Sequence, residues 1–187
     1  MSIYIESERL VLRQFTETDL PALVEIAGQK HILDWCPDWN DCGAWVHDWF
    51  RGIEWRYTIA DPNKEFVLLA IIEKSTNELI GQINTGCECK DKLPGELSIG
   101  YYISKDKLNK GYATEAAKAM TQHFFPINPN DFFYAIIKPN NAAYHRVAEK
   151  AGFSFVSEVT LSEKETGKPI LMHYYRLVKQ QEEIYKT

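Results

Sequence analysis

The sequence predicts a single-domain α/β (α+β) fold in which helices flank one mixed central sheet. Apolar segments of strand length recur along the chain and are bounded by polar and turn-forming residues. Between them lie segments whose apolar residues repeat at helical spacing. A length of 187 residues is enough for one sizeable core and short for two, so we expect residues 1–187 to form one domain.

Composition and charge argue against several classes of protein. Apolar residues make up 45% of the chain and charged residues 25%, which is the balance of an ordinary globular protein. The longest clean apolar run, residues 66–72, has the length of a strand and not of a membrane span. Glu6, Glu8 and Arg9 argue against a signal peptide, so we expect a cytoplasmic protein. Since the net charge is −5 and no basic block occurs, we expect neither nucleic acid nor a membrane as a partner.

The four cysteines are expected to be free thiols in a reducing compartment. The spacings Cys36-x5-Cys42 and Cys87-x-Cys89 differ from those of structural zinc sites. The five histidines are scattered and form no paired ligand motif. We therefore predict no metal site.

The N-terminal part of the chain is predicted to contain one strand and two helices. Residues 9–14 form the strand, because leucines alternate along it. Thr16, with an acidic residue three positions later, is the expected N-cap of a helix that ends near residue 27. Asn40-Asp41 is the expected cap of a second helix that ends near residue 59.

Five tryptophans fall between residues 35 and 55. Trp45 and Trp49 have helical spacing, which favours a place in the core over a place in a binding site. Trp35 and Trp39 precede the helix in a proline-containing loop. Both are candidates for contacts with a substrate, where a rigid ring can pack against an apolar chain or a cation, but core packing stays open for them.

The rest of the chain is predicted to alternate strands with helices. Strands are expected at residues 65–73, 79–85, 95–103, 132–138, 153–161 and 170–178. Helices are expected at residues 111–125 and 141–151. The first two of these strands form a hairpin, and the last two form an antiparallel pair.

The segment 101–117 passes from an aromatic strand through a lysine-containing loop into a helix. The first N–H groups of a helix lack partners within it and carry the positive end of its dipole, so they bind phosphate oxygens. Gly111 allows a close approach because it has no Cβ, and Lys105, Lys107 and Lys110 add positive charge. Neither Gly-x-Gly nor Gly-Lys-Ser/Thr occurs, which excludes the Rossmann and P-loop motifs. The segment therefore predicts a phosphate-binding loop of another kind.

Three motifs resemble those of the GCN5-related N-acetyltransferase (GNAT) superfamily. The run Leu108-Asn109-Lys110-Gly111-Tyr112-Ala113 resembles its Gln/Arg-x-x-Gly-x-Gly/Ala pyrophosphate loop, and the following Thr114-Glu115-Ala116 is similar to the RimJ/RimL-type subgroup. Residues 139–153 resemble the Asn-x-Ala-Ser-x-Arg-Val-x-Glu-Lys-x-Gly-Phe segment of that subgroup. Residues 8–15 resemble its opening strand.

Three positions depart from the family pattern. The usual Gln or Arg is Leu108, the frequent Gly that follows it is Asn109, and the usual Ser of the later segment is Tyr144. Backbone N–H groups do most of the phosphate binding, so the first two departures leave cofactor binding intact. The third departure concerns the mechanism.

The resemblance implies a GNAT-like, mostly antiparallel central sheet in which two central strands, residues 95–103 and 132–138, splay apart. It implies acetyl-CoA as a co-substrate, with its pantetheine arm in the gap and its pyrophosphate on the loop. The residues that it implicates in binding the cofactor are Tyr102 and Ile103 through their backbone, Asn141 from the other side of the gap, and the loop residues Leu108, Asn109, Lys110, Gly111, Tyr112, Ala113 and Thr114.

The implied reaction is direct attack of an amine on the thioester, without an acyl-enzyme. Glu96 is the candidate general base, and its alternative is a solvated carboxylate at the end of a strand. Tyr144 is the candidate acid for the leaving thiolate, because the pKa of a tyrosine lies above the value of about 8.5 for a thiol. A purely structural role is its alternative.

The sequence thus predicts an acetyl-CoA-dependent N-acetyltransferase that acts on a primary amine. A protein N-terminal α-amine is favoured, because deprotonating it at pH 7 costs under about 1.4 kcal/mol, whereas a lysine costs roughly 4 to 5 kcal/mol. The alternatives are a small-molecule amine, such as a polyamine or an aminoglycoside, and a non-catalytic acyl-CoA-binding module. A homodimer stays open.

Overall fold

The architecture is one eight-stranded sheet with helices on both faces, and the computed structural model describes residues 3–59, 67–86, 97–128, 130–162 and 167–179. The strands are β1 Tyr4–Glu6, β2 Leu10–Arg13, β3 Val67–Glu73, β4 Glu78–Thr85, β5 Leu97–Ile103, β6 Phe132–Ile137, β7 Ser154–Ser162 and β8 Pro169–Val178. Their spatial order is β1-β2-β3-β4-β5-β6-β8-β7. Among the described strands only β5 and β6 pair in parallel, so the predicted mixed, mostly antiparallel sheet is confirmed.

The α-helices among the described residues are α1 Leu20–Ala27, α2 Lys30–Leu33, α3 Val46–Ile59, α4 Tyr112–Phe124 and α5 Ala142–Ala151. From the β3–β4 hairpin onward, the predicted strands and helices agree with the structure to within one residue wherever the end lies among the described residues. Two predicted strand starts, residues 65 and 95, lie outside the described residues, so the starts of β3 and β5 cannot be compared with the prediction.

The N-terminal third differs more from the prediction. Thr16 N–H donates to Asp19 Oδ2 at 2.8 Å, as expected of a helix start, and a 3₁₀ turn leads from there into α1. The predicted start of the second helix at Asn40 is wrong, since α3 begins only at Val46. Asn40 Nδ2 donates to Asp41 Oδ2 at 2.9 Å, so the two expected capping side chains bind each other instead of helix N–H groups. The short elements β1 and α2 were not predicted.

Each face of the sheet carries its own core. The first core contains the inward residues of α4 and α5, among them Ala117, Met120 and Ala148. The second core contains those of α1 and α3, among them Leu23 and Phe50. Successive residues of a strand point to opposite faces, so β5 contributes Ile99 and Ile103 to the first core and Tyr102 to the second. The central strands are therefore covered on both sides.

The two parallel strands separate soon after they meet. β5 and β6 pair only at Leu97–Phe133 and Ser98–Tyr134, near the N-terminal end of each strand. From Ile99 onward, β5 has no register partner on β6 in the described structure. We call this opening the β5–β6 gap, and it is the predicted splay of two central strands.

Three predictions, on membrane-spanning helices, metal sites and free cysteines, can be compared with the described residues. No helix among them is long and apolar enough to cross a membrane. The same residues contain no group of three or more His, Cys, Asp or Glu that is arranged to hold a metal ion. Cys36 and Cys42 are free thiols, whereas Cys87 and Cys89 lie outside the described residues.

Candidate active site

The loop before α4 presents the first N–H groups of that helix. Gly111 is the N-cap residue with a φ of +84°, and Asn109 also lies in the left-handed region, with a φ of +60°. Glu115 N–H donates to the Gly111 carbonyl at 3.0 Å, so the N–H groups of residues 112–114 have no partner within the helix. These groups, together with a cap residue that lacks a Cβ, are suited to binding phosphate oxygens.

Arg9 and Glu115 brace this loop through the start of β2. The Ser7 hydroxyl and the Arg9 backbone N–H each donate to Glu115 Oε1 at 2.7 Å, and Arg9 Nε donates to Oε2 at 2.8 Å. Arg9 Nη1 donates to the Lys110 carbonyl at 2.9 Å, and the Arg9 guanidinium lies 4.6 Å from the ring centre of Tyr112. Burial opposes ionisation of Glu115, but these hydrogen bonds outweigh it and lower its pKa.

A second brace lies at the end of β3. The Glu73 side chain, which is only 9% exposed, accepts hydrogen bonds from Tyr112 Oη, Lys107 Nζ and Thr76 Oγ1, the latter two at 2.6 and 3.1 Å. This corrects the expectation that three lysines are available to phosphate, because Lys107 is bound to a carboxylate. Tyr112 likewise directs its side chain inward and contributes only its backbone N–H to the loop.

Glu73 should make the stability of the fold depend on acid pH. The hydrogen bonds from Lys107 and then from Tyr112 lower the pKa of Glu73 from 4.5 to about 2. Between these values the unfolded state binds more protons, so the stability that Glu73 contributes is complete above pH 4.5 and is lost as the pH falls toward 2.

Thermal unfolding measured between pH 5 and pH 2.5 should show a steeper loss of stability with falling pH in wild type than in Glu73→Gln. Glu78→Gln is the control, because Glu78 also contacts Lys107 but is exposed and should keep the wild-type slope. Equal slopes for wild type and Glu73→Gln would contradict the brace.

The register of β5 shows which backbone groups face the β5–β6 gap. Ser104 N–H donates to the Ile80 carbonyl at 2.8 Å, and Gly86 N–H donates to the Ser98 carbonyl at 3.2 Å. Because bonding alternates along an antiparallel ladder, the even-numbered residues of β5, including Tyr102, direct their N–H and carbonyl groups toward β4. The odd-numbered residues direct theirs toward the gap. The register therefore changes the expected backbone partner of the pantetheine arm from Tyr102 to Tyr101.

Tyr144 lies at the closed end of the gap. Its hydroxyl donates to the Ile99 carbonyl at 2.6 Å, and its ring stacks on Tyr101 with centroids 4.5 Å apart. Asn141 positions it, since Asn141 Oδ1 accepts a hydrogen bond from Tyr144 N–H at 3.1 Å and caps α5. Burial, and after it the neighbouring Tyr144, raises the pKa of Tyr101 far above its ordinary value. The structure thus places two stacked tyrosines, Tyr101 and Tyr144, at the gap.

The open end of the gap is connected to the α1–α2 corner. A ring nitrogen of His31 is 3.0 Å from the Ile103 carbonyl, which faces the gap. Gln29 Nε2 donates to Ser104 Oγ at 3.1 Å, and Gln29 Oε1 accepts from Lys105 N–H at 2.8 Å. The predicted partner Ile103 therefore has its carbonyl engaged by His31. These contacts, which the sequence analysis missed, connect the α1–α2 corner to the segment that leads into the phosphate loop.

Three of the tryptophans, Trp39, Trp45 and Trp49, lie on the face of the second core. Trp39 contacts Trp45, Trp49 and Tyr102, with ring centroids 5.3, 5.3 and 5.9 Å away. Trp45 and Trp49 pack against the second core, as predicted. Trp39 shares that packing while remaining half-buried, and Trp35 is exposed. Of the two substrate candidates, Trp35 is thus the more accessible.

The candidate catalytic residues are not all described. Tyr144 is described, whereas Glu96 lies outside the described residues, immediately before β5. Leu108 is exposed at the edge of the loop, where the resembled family has a Gln or Arg. The loop and Tyr144 lie on the side of the sheet that carries the first core, and Trp39, Trp45 and Trp49 lie on the other side, which we call the aromatic face. This arrangement allows a cofactor and an acceptor to meet at the gap from opposite faces.

Comparisons with known proteins agree with this geometry. Residues 9–154 match the family described as Acetyltransferase (GNAT) domain. The uncharacterised N-acetyltransferase YnaD of Bacillus subtilis is 26% identical over 156 residues, which cover 80% of this chain and 82% of YnaD. The uncharacterised N-acetyltransferase YoaA of the same organism is 23% identical over 189 residues, covering 95% of this chain and 98% of YoaA.

Solved structures share the fold at low sequence identity. A GNAT-family acetyltransferase from Bacillus anthracis superimposes with a TM-score of 0.72 at 22% identity, covering 96% of this chain and all of that one. RimL, a ribosomal L7/L12 alpha-N-protein acetyltransferase solved with coenzyme A, superimposes with a TM-score of 0.73 at 18% identity, covering 95% and 98% of the two chains. The family match spans most of this chain and includes the loop, the gap and Tyr144. The chain therefore belongs to the GNAT acetyltransferase family.

Proposed function

We propose that this chain uses acetyl-CoA to acetylate a primary amine directly and that its preferred acceptor is the α-amine of a protein N-terminus. The observation that carries the proposal is the β5–β6 gap, which opens beside the exposed N-terminus of α4. This arrangement supports the proposal, because the helix N-terminus would bind the pyrophosphate and the gap beside it would hold the extended arm.

The residues present suit acetyl-CoA. The N–H groups of residues 112–114, next to Gly111, would hold the pyrophosphate, and the backbone of Tyr101 would hydrogen-bond the arm in the gap. Leu108, Asn109 and Lys110 would line the loop, and Asn141 would contact the arm through Nδ2, because its Oδ1 caps α5. Among structural neighbours, RimL was solved with coenzyme A and the self-immunity acetyltransferase MccE with acetyl-CoA and AMP, which supports the assignment.

Acetyl-CoA would supply the thioester. The amine nitrogen would form a C–N bond to the thioester carbonyl carbon, and the C–S bond would break. The sulfur would leave with the electron pair of that bond. Tyr144 donates its hydroxyl proton to that sulfur and recovers a proton from solvent. The amine must arrive neutral, and it loses one proton after the attack to a base. Glu96, whose sequence position precedes the closed end of the gap, remains our proposal for that base, directly or through a water.

The preference for an α-amine rests on protonation. At pH 7 a single carboxylate base suffices for an amine with a pKa of about 7.7 to 8.0, whereas a lysine near 10.4 requires several kcal/mol more. The name of the neighbour RimL, an alpha-N-protein acetyltransferase, points in the same direction. Trp35 and Trp39 would then contact the first residues of the acceptor peptide.

A panel of amines tests this proposal. The chain would be incubated at pH 7 with acetyl-CoA and peptides that carry both a free N-terminus and an internal lysine, and with spermidine and an aminoglycoside in parallel. Mass spectrometry should find the acetyl group on peptide N-termini and little on lysines. A clear preference for lysine, spermidine or the aminoglycoside would overturn the α-amine. Binding of acetyl-CoA without thiol release for every amine would point to a non-catalytic module.

A further inference from the structure

We infer that Asn84 of β4 holds the acceptor amine during the reaction, an assignment that rests on the proposed function. Asn84 is the register partner of Gly100 on β5. A Cβ added at Gly100 would lie 2.8 Å from Asn84 Oδ1 and 3.3 Å from Asn84 Nδ2. The side-chain amide of Asn84 therefore occupies the space above Gly100 that any other residue would fill.

The position of this amide relates it to the reaction. Gly100 follows the last β5–β6 pair, Ser98–Tyr134, by two residues and is therefore at the closed end of the gap. Asn84 and Gly100 face the same side of the sheet as Tyr102 and the tryptophans, which is the side opposite α4 and α5. An amine that approaches the gap from the aromatic face meets the Asn84 side chain near the first gap-facing groups of β5.

The nitrogen and the oxygen of the Asn84 side-chain amide differ in their hydrogen bonding. Asn84 Nδ2 donates to the Gly86 carbonyl at 3.5 Å, and no described residue donates to Asn84 Oδ1. Asn84 is half-buried, so the residue is not sealed in the core. A carbonyl-type oxygen accepts N–H groups, and the neutral acceptor amine brings N–H groups to this side of the gap, so we assign the amine as its partner.

The hydrogen bond from the amine to Asn84 Oδ1 becomes stronger as the amine attacks the thioester. A neutral primary amine has two N–H bonds and one lone pair, so it can donate one N–H to Asn84 Oδ1 while the lone pair points at the thioester carbon. As the C–N bond forms, the nitrogen becomes cationic and its hydrogen bond becomes charge-assisted. An interaction that strengthens in the transition state raises kcat as well as improving binding.

Three variants test the assignment, with kcat/KM measured for the best acceptor and acetyl-CoA affinity measured by calorimetry. Asn84→Ala should lower kcat/KM by about 10- to 100-fold, the effect of losing one hydrogen bond to a charged group, with acetyl-CoA affinity within twofold of wild type. Gly100→Ala should have an effect in the same direction, because its Cβ displaces Oδ1. Asn84→Asp should retain more activity than Asn84→Ala, because it keeps an accepting oxygen for the amine even though it introduces a charge and loses the Nδ2 donor to the Gly86 carbonyl.

The double variant Asn84→Ala/Gly100→Ala separates this role from packing. Once the amide is absent the Cβ at position 100 has room, so the double variant should be no slower than Asn84→Ala alone. Wild-type kcat/KM in Asn84→Ala, or losses in Asn84→Asp equal to those in Asn84→Ala, would overturn the assignment while leaving the proposed function in place. A wild-type chain that transfers acetyl to no amine would overturn the proposed function and the assignment together.

Discussion

Replacement of Tyr144 by Phe should lower kcat by roughly 10²- to 10⁴-fold, the range expected when a general acid is lost. The affinity for acetyl-CoA should change little, because the ring that packs in the gap is retained. The hydroxyl lies 2.6 Å from the Ile99 carbonyl, at the end of the gap where we place the thioester sulfur. Steady-state kinetics and calorimetry on the same preparation measure the two quantities separately.

Tyr101→Phe is a matched control for this experiment. Tyr101 stacks on Tyr144, and its hydroxyl makes only a long contact of 3.5 Å to the Tyr144 carbonyl. Burial raises its pKa far above the ordinary value, which makes it a poor proton donor. Tyr101→Phe should therefore keep kcat near wild type. An unimpaired Tyr144→Phe enzyme, or equal losses in the two variants, would show that Tyr144 is not the acid.

Replacement of Gly111 by Val should weaken acetyl-CoA binding by at least about 10²-fold, because several charge-assisted hydrogen bonds to the pyrophosphate are lost together. A Val side chain at the N-cap of α4 would stand in front of the N–H groups of residues 112–114. Its Cβ would also lie 3.4 Å from Arg9 Nη2, the guanidinium that braces the loop. Calorimetric titration with acetyl-CoA measures the effect.

Backbone strain is a second consequence of this substitution and needs its own control. Gly111 has a φ of +84°, a region in which β-branched residues are strongly disfavoured. Gly167, before β8, has a φ of +67°, and a Cβ there would have no heavy atom within 4 Å. Gly167→Val therefore introduces comparable strain away from the loop and should bind acetyl-CoA like wild type. Wild-type affinity in Gly111→Val would mean that the phosphate loop lies elsewhere.

The regular elements around the site were predictable from local pattern. The loop and α4 were predicted because a glycine and clustered lysines precede a helical repeat, and the bounds agree to within one residue. The gap itself was predicted through family resemblance and not through periodicity, since spacing does not show where two parallel strands separate. The cap at Thr16 was predicted because its partner Asp19 is only three residues away.

The contacts that complete the site join residues far apart in sequence. Lys107 was expected to meet phosphate, but Glu73, 34 residues away, binds it with a hydrogen bond of 2.6 Å. The brace between Arg9 and Glu115 spans 106 residues. Asn84 became a candidate only when the register placed it over Gly100. Such pairings depend on how strands align across the sheet, and a local pattern carries no information on that alignment.

The most direct test of the central claim is to follow backbone amide resonances by NMR while acetyl-CoA is added to the labelled chain. If acetyl-CoA binds along the β5–β6 gap, the amides of Tyr101 and of residues 112–114 should shift most, and their shifts should saturate with one common affinity. Amides at the far end of α4, such as that of Phe124, should stay nearly unchanged. Saturating shifts that leave Tyr101 and residues 112–114 unmoved would contradict the account.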